Sequence, residues 1–282
     1  MPVAGYMIYG FLVSLGSGVL GALLGLGGGV ILVPLLVFLL HVPIHIASGA
    51  SIIAVVATSS AAASTYVRNE LTNMRLGMFL ELATTLGAIT GAFLTSVISE
   101  SLLRIVFGLS LLYASATMFY QQRNTGGAGW TPKADDWLAE RLKLGSSYFD
   151  EALGQEVRYG VDRTPLTFAI SYVAGVVSGL LGIGGGGIKV PAMNIISGIP
   201  MKAAVATSNF MIGVTASASA MVYMRHQFCD AFVTAPVMLG TLVGAALGSR
   251  LTNRVSSNTL KTFFEAVLLL LAARMILSGV AL

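Results

Sequence analysis

The sequence predicts an all-α polytopic membrane protein made of two inverted-topology repeats. Each repeat has about five helical segments, with helices broken or re-entrant at two glycine-rich motifs. Composition is the first observation behind this: 55% of the 282 residues are hydrophobic and 10% are charged, against roughly 25% charged in soluble domains. Mean hydropathy is +0.84. Self-similarity is the second. A shift of 157 residues aligns, without a gap, Pro34 with Pro191, Pro43 with Pro200, Ser51 with Ser208, Tyr66 with Tyr223, Gly87 with Gly244 and Phe107 with Phe264. The third is a pair of glycine runs equivalent under that shift, GLGGGVILVPLLV from Gly25 and GIGGGGIKVPAMN from Gly182.

No Asp, Glu, Lys or Arg precedes Arg68. A membrane helix needs about 20 apolar residues, so the opening stretch holds up to three crossings. It begins MPVAGYMIYGFLVSLGSGVL, which lacks a basic n-region and reads as a first membrane helix, not a removable signal peptide. Apolar stretches run over 5–24, 30–41, 46–67, 76–98 and 102–120, and again over 165–182, 187–198, 203–224, 231–250 and 260–280. The second stretch of each set is about 18 Å of helix, too short to cross a hydrocarbon core of about 30 Å. Each is a half-helix, a re-entrant segment or the continuation of a helix broken at the glycines.

The chain thus divides into a first membrane repeat (1–120), a polar linker (121–163) and a second membrane repeat (164–282). With the linker in the cytoplasm, twelve Lys and Arg fall inside and only Arg104 and Arg225 outside, while Lys189 and Arg274 lie within spans. That bias sets the orientation and puts both termini on the periplasmic side of a bacterial inner membrane. Each half then crosses an odd number of times, so the halves are inverted, as in many secondary transporters. Within the linker, DDWLAERLKL suits a short amphipathic helix at the membrane surface; the linker as a whole reads as a solvated connector.

Glycines four apart, as at Gly87 and Gly91 or Gly240 and Gly244, let helices approach closely. Runs of glycine do something else, since each costs about 1 kcal/mol in a helix against alanine. Gly27, Gly28 and Gly29, and Gly184, Gly185, Gly186 and Gly187, are expected to unwind the backbone at membrane depth. Unwound backbone is tolerated there only inside protein or along a wet cavity. The freed N–H groups at the start of the next half-helix favour an anion. Lys189 follows the second run, with Leu32 as its first-half counterpart. A lysine near the bilayer centre costs at least about 2.5 kcal/mol and so needs a partner. These residues form a candidate substrate site for a small anion, joined by polar groups of the third helix in each half: Ser51 and Thr58, and Thr207, Ser208 and Asn209. Thr215 lies on the same helix. The bland alternatives are that Lys189 snorkels to an interface and that the hydroxyls only glue helices together.

Other chemistry finds little support. Cys229 is the only cysteine, so no internal disulfide or thiolate metal cluster can form. His41 and His45 are four apart but flank Pro43, and no metal or cofactor is expected. Glu81 is either a proton-relay carboxylate or, as the better reading, a structural residue paired with Arg75 or another cation. Lys261 and Glu265 have the spacing of a helical ion pair. Basic residues follow membrane topology, so nucleic acid is not a partner; the partners expected are the lipid bilayer, a small anionic substrate and a second copy in a homodimer. No GxSxG, HExxH or Walker loop occurs, and the glycine runs lack the strand and acidic ribose partner of a dinucleotide site. An enzyme is therefore not expected.

GLGGGVILVPLL with HVPIHIASGAS, and GIGGGGIKVPAMN with GIPMKAAVATSNFMIG, resemble the paired signatures of the sulfite exporter TauE/SafE family across both membrane halves. The resemblance implies an inner-membrane permease for small sulfur-containing anions. The expected function is a secondary transporter that exports sulfite or an organosulfonate such as sulfoacetate by alternating access. An anion channel or uniporter on the same site, or a permease for another small organic anion, is the alternative.

Overall fold

A computed structural model describes residues 3–24, 28–68, 70–124, 133–150, 154–251 and 257–281. The first half holds α1 (Val3–Leu24), α2 (Gly29–Leu39), α3 (Ile44–Arg68), α4 (Met74–Thr95) and α5 (Glu100–Asn124). In the linker lie α6 (Trp137–Leu142) and an antiparallel hairpin of β1 (Ser146–Asp150) and β2 (Gln155–Tyr159). The second half holds α7 (Thr164–Leu181), α8 (Gly186–Pro191) running on into a π-helical turn (Ala192–Ile196), α9 (Met201–Arg225), α10 (Ala231–Leu251) and α11 (Ser257–Val280). Each apolar stretch expected from sequence is a helix, with ends moved by four residues or fewer. Among the described residues, five helices are long and apolar enough to cross a membrane, and the chain is an all-α polytopic membrane protein.

The ends follow from local chemistry. Pro43 and Pro200 precede α3 and α9, and their carbonyls accept the first helical bonds, from Ala47 and Ala204, each at 2.9 Å. Proline suits that position because no N–H is needed there. Asn73 caps α4, its Oδ1 accepting from the Leu76 N–H at 3.1 Å. The long helices expose apolar side chains outward, among them Leu82, Leu86, Met221 and Leu277, as a lipid-facing surface requires.

Helix pairing is symmetric under exchange of the halves. α1 packs on α10 as α7 packs on α4, and α3 on α10 as α9 on α4, while α3 packs on α9 and α5 on α11. The glycine ladders make the closest of these contacts. A Cβ at Gly87 or Gly91 would collide with the backbone of Tyr172 or Val176, and one at Gly240 or Gly244 with Phe11 or Leu15. Both contacts run in parallel register.

Equivalent helices, by contrast, oppose one another. His45, at the start of α3, stacks on Phe228, beyond the end of α9, with ring centroids 5.0 Å apart. Asn73, beyond the end of α3, donates its backbone N–H to Thr207 Oγ1 near the start of α9 at 3.0 Å. So α3 and α9 run antiparallel, and the same holds for α5 and α11, where Gly108 lies beside Ala272 and Gly279 beside Ser101. A two-fold axis across the helices produces this pattern.

The linker is more than a solvated connector. Ala139, Leu144, Tyr148, Tyr159 and Val161 share one core with Leu76 and Leu80 of α4, Val190 and Met193 beyond the second glycine run, and Ala203 and Met211 of α9. Lys202 Nζ donates to both Asp150 oxygens, at 2.7 and 2.8 Å, and Asn73 Nδ2 donates to Leu144 O at 2.7 Å. Asp136 caps α6 and also accepts from the Thr164 N–H at 2.6 Å, tying the linker to the start of α7. Burial pushes the Asp136 carboxyl up, yet the hydrogen bonds from Ala139 and Thr164 outweigh it and hold the group below the usual range.

Candidate anion-binding site

At the second break the chain reverses over Gly182–Gly185. Gly182, Gly184 and Gly185 have φ of 70°, 77° and 74°, a left-handed geometry that costs a side-chain-bearing residue about 1–2 kcal/mol each. This is the physical reason for consecutive glycines. Reversal strands the last carbonyls of α7 away from water, and side chains take them up. Tyr223 Oη donates to Gly179 O at 2.9 Å, Thr95 Oγ1 to Leu180 O at 2.9 Å, and Ser51 Oγ to Gly182 O at 2.8 Å. At the first break Gly28 is also left-handed (φ 74°), and Ser17 Oγ donates to its carbonyl at 3.2 Å.

The two breaks meet. A Cβ on Gly29 would lie 3.2 Å from Ile183 Cα and 2.9 Å from Ser51 Oγ, and one on Gly184 would lie 2.8 Å from Val55 and 2.9 Å from Ile212. Val55 and Ile212 are equivalent under the 157-residue shift, so Gly184 lies between matching positions of α3 and α9. α2 and α8 start from this point. α2 is 11 residues long, or about 16 Å, and α8 with its π turn covers residues 186–196, a similar length. Both therefore begin part-way across a membrane and present their N-termini inward.

Lys189 is buried to 1% exposure. Its Nζ donates to Thr215 Oγ1 at 2.9 Å, and that hydroxyl lies 2.7 Å from Glu81 Oε1. Thr85 donates to the same carboxylate oxygen at 2.8 Å. Glu81 Oε2 is buried without a partner, as are Ser178 Oγ and Ser208 Oγ. Those two hydroxyls flank the start of α8, 3.2 Å from a Cβ on Gly185 and 3.7 Å from one on Gly186. A Cβ on Gly187 would meet only Ala114, at 3.8 Å.

Of the residues expected at the site, Gly28, Gly29, Gly184, Gly185, Gly186, Gly187, Ser51 and Ser208 lie at the joined breaks, with Lys189 one turn along α8. Gly27 falls outside the described residues. Thr58 donates back to Ala54 O at 3.0 Å, Asn209 to Val205 O at 3.0 Å, and Thr207 is engaged by Asn73. Those three turn to their own helix or to a cap.

Glu81 faces Thr215 and Lys189, while Arg75 donates to Lys143 O at 3.4 Å instead. Arg274 lies 4.5 Å above the Phe38 ring, and no cluster of three metal-ligating side chains occurs among the described residues. The Lys261 side chain lies outside the described residues. Sequence reasoning missed Ser17 and Ser178, the hydroxyls on the helices preceding the breaks. Reversal itself is the signal for them, because a chain that folds back needs acceptors and donors on the helix it returns to.

Broken helices meeting around a buried ammonium and carboxylate define the class, a polytopic membrane transporter. Residues 10–275 match the family described as sulfite exporter TauE/SafE, and the chain belongs to that family. It is 25% identical over 283 residues to the probable membrane transporter protein YunE of Bacillus subtilis, covering 97% of this chain and 99% of the relative. It is 27% identical over 256 residues to a probable membrane transporter protein of Xylella fastidiosa, covering 89% and 88%. To YdhB of B. subtilis, another probable membrane transporter protein, it is 26% identical over 245 residues, covering 87% and 90%. No solved structure matches the chain. The protein is an integral, multi-pass membrane transporter.

Proposed function

We propose that the protein is a secondary transporter that exports a small sulfur oxyanion or organosulfonate, such as sulfite or sulfoacetate, across a bacterial inner membrane by alternating access between the inverted halves. One observation carries this reading. The start of α8 holds a left-handed glycine turn and two buried hydroxyls without partners, Ser178 and Ser208, and one turn along the same helix is the buried ammonium of Lys189, bonded to Thr215. Amide N–H groups, hydroxyl donors and a cation are what a tetrahedral or pyramidal oxyanion needs. The charge needs no metal. The antiparallel pairing of α3 with α9 supports a rocking exchange of the site between the two faces.

Orientation belongs to the same proposal: linker in the cytoplasm, both termini periplasmic. With Cys229 replaced by serine, a cysteine at position 136 is labelled from the cytoplasmic side and one at position 226 from the periplasmic side. Function is tested in proteoliposomes preloaded with sulfite or sulfoacetate. Wild type shows counterflow of the labelled anion. Lys189→Ala loses it by at least about tenfold, as expected when a buried charged partner is removed, whereas Lys202→Ala does not. Equal and negligible losses in the two variants would refute the site, and conductance without counterflow would make the protein a channel.

A further inference from the structure

Lys189 and Glu81 are the charged side chains buried at the joined breaks, and a third residue stands between them. Thr215 Oγ1 accepts from Lys189 Nζ at 2.9 Å and lies 2.7 Å from Glu81 Oε1. A hydroxyl has a single proton to give. Here that proton has a second acceptor, the Met211 carbonyl at 3.0 Å. Thr215 can therefore donate to the carboxylate or turn back onto its own helix. Glu81 Oε2, the other carboxylate oxygen, is buried without a partner and has a lone pair free for a proton.

We propose that Glu81 is a proton-binding site that couples anion movement to protons. With the anion absent, Glu81 is ionised and neutralises Lys189 through Thr215. When the anion enters at the start of α8 and engages Lys189, a hydronium ion gives its proton to Glu81 Oε2, forming the O–H bond of a neutral carboxylic acid and leaving water behind. Loss of the negative charge weakens Oε1 as an acceptor, Thr215 turns its proton to Met211 O, and Lys189 is released to the anion. The inference rests on the anion-site reading and extends it to the coupling ion.

Charge balance favours this scheme over simple displacement. A carboxylate with an ammonium is net neutral, and so is a carboxylic acid with an ammonium and a monoanion. An anion that merely pushed Glu81 aside would leave one uncompensated negative charge in the interior, at a cost of several kcal/mol. One proton thus travels with each monoanion, electrically silent, and direction follows the combined proton and anion gradients.

Among the described residues, no other ionisable group on the neighbouring helices competes for the role. α4 packs on α7 and α9. On α7 the titratable side chain is Tyr172, 40% exposed. On α9, Lys202 is held by Asp150, Tyr223 bonds the end of α7, and Arg225 closes the far end of the helix. From α5, which lies along α8, Tyr113 is 44% exposed, and Glu100 pairs with Arg104 at 3.5 Å. On α4 itself Arg75 turns to the linker.

Purified full-length protein in proteoliposomes tests this with labelled sulfite as the probe. In wild type, an imposed pH difference drives sulfite accumulation with accompanying proton movement, insensitive to a clamped membrane potential. In Glu81→Gln that accumulation falls at least tenfold, and the remaining sulfite exchange loses the pH dependence of wild type. Glu100→Gln on α5 behaves as wild type. Undiminished pH-driven accumulation in Glu81→Gln would overturn the proposal, as would residual exchange in that variant that keeps the wild-type pH profile.

A second readout needs no substrate. Infrared pH-difference spectra of wild type contain a carboxylic-acid C=O band that Glu81→Gln removes, and identical spectra would also overturn the proposal. If wild type moves neither sulfite nor sulfoacetate while this band is present and lost in Glu81→Gln, the substrate reading fails and the proton site stands.

Discussion

The two glycine breaks are written with almost the same letters and do different things. Both turn left-handed, both have their carbonyls bonded by serines, and both launch a short helix from the pseudo-two-fold axis. At the second break the residue one turn along is Lys189, faced by Thr215 and, through it, by Glu81. A shift of 157 residues turns this trio into Leu32, Thr58 and Met238. Leu32 is fully buried in an apolar core, and Thr58, with nothing to bridge, bonds its own helix at Ala54 O. The cation and the acid stand together at one break and neither stands at the other, while the threonine is present at both. Lys189 and Glu81 thus work as a unit, each making the other tolerable in a low-dielectric interior. The first break keeps the reversal and the second adds charge.

The largest test of this contrast is removal of the cation. Lys189→Met should reduce transport by about 100-fold or more, because breaking a buried pair costs roughly 3–5 kcal/mol at about 1.4 kcal/mol per decade. Leu32→Met, at the equivalent place, should change it by less than about threefold, as a volume-conserving swap. Since Lys189→Met leaves Glu81 uncompensated, the paired variant Lys189→Met with Glu81→Gln should recover thermal stability in detergent without recovering transport. Recovery of both would mean that the pair is structural.

Next in size is the bridge. Thr215→Val removes the hydroxyl that both charges use and should cost about tenfold in transport, with partial rescue by Thr215→Ser. Thr58→Val removes a back-bond that competes with ordinary helix bonding and should stay within about twofold. Parallel counterflow assays on the four proteins, wild type included, decide it. Equal losses in Thr215→Val and Thr58→Val would erase the distinction between the breaks.

The break geometries themselves were legible in the sequence because glycine has one strong physical meaning when it recurs in an apolar run. Helix positions were legible for the same reason, through the spacing of apolar stretches and the prolines at Pro43 and Pro200. The 157-residue repeat with the Lys and Arg bias predicted inversion, and the antiparallel crossings of α3 with α9 and of α5 with α11 have that geometry. Harder to read were partners across the axis. Glu81 lies 108 positions before Lys189, and which face of α4 meets α9 depends on packing that no local pattern encodes. Asn209 is among the polar groups expected at the site, yet its side-chain amide donates to a carbonyl four residues back on its own helix. The linker misled through its composition, since its polar surface hides Tyr148, Tyr159 and Val161, which seal against α4 and α9.

Smaller again is a difference in stability between the turns. Gly28→Ala and Gly185→Ala each force a side chain into a left-handed conformation, at about 1–2 kcal/mol. Only Gly185 is crowded as well: its Cβ would lie 2.9 Å from Ser178 Cβ, whereas at Gly28 the nearest atom is 3.7 Å away. Thermal unfolding in detergent should therefore show Gly185→Ala the less stable of the two, by roughly a further 1 kcal/mol for overpacking. Equal shifts would mean that both turns have the same room.

Least of all should be the effect of Lys202→Ala, and it bears most directly on why the two breaks differ. Lys202 has the same charge as Lys189 and lies in the same half, at the second residue of a helix that also starts near a glycine and a proline. It bonds a carboxylate directly, at 2.7 Å, whereas Lys189 reaches Glu81 only through Thr215. What separates them is burial: the Lys202 side chain is 53% exposed, so water already solvates the ammonium and the pair contributes no more than about 1 kcal/mol. Transport in Lys202→Ala should stay within about twofold of wild type, with a small loss of linker stability that limited proteolysis detects. If charge alone mattered, the two lysines would give similar losses; if desolvation is what gives Lys189 its hold on an anion, only one of them does.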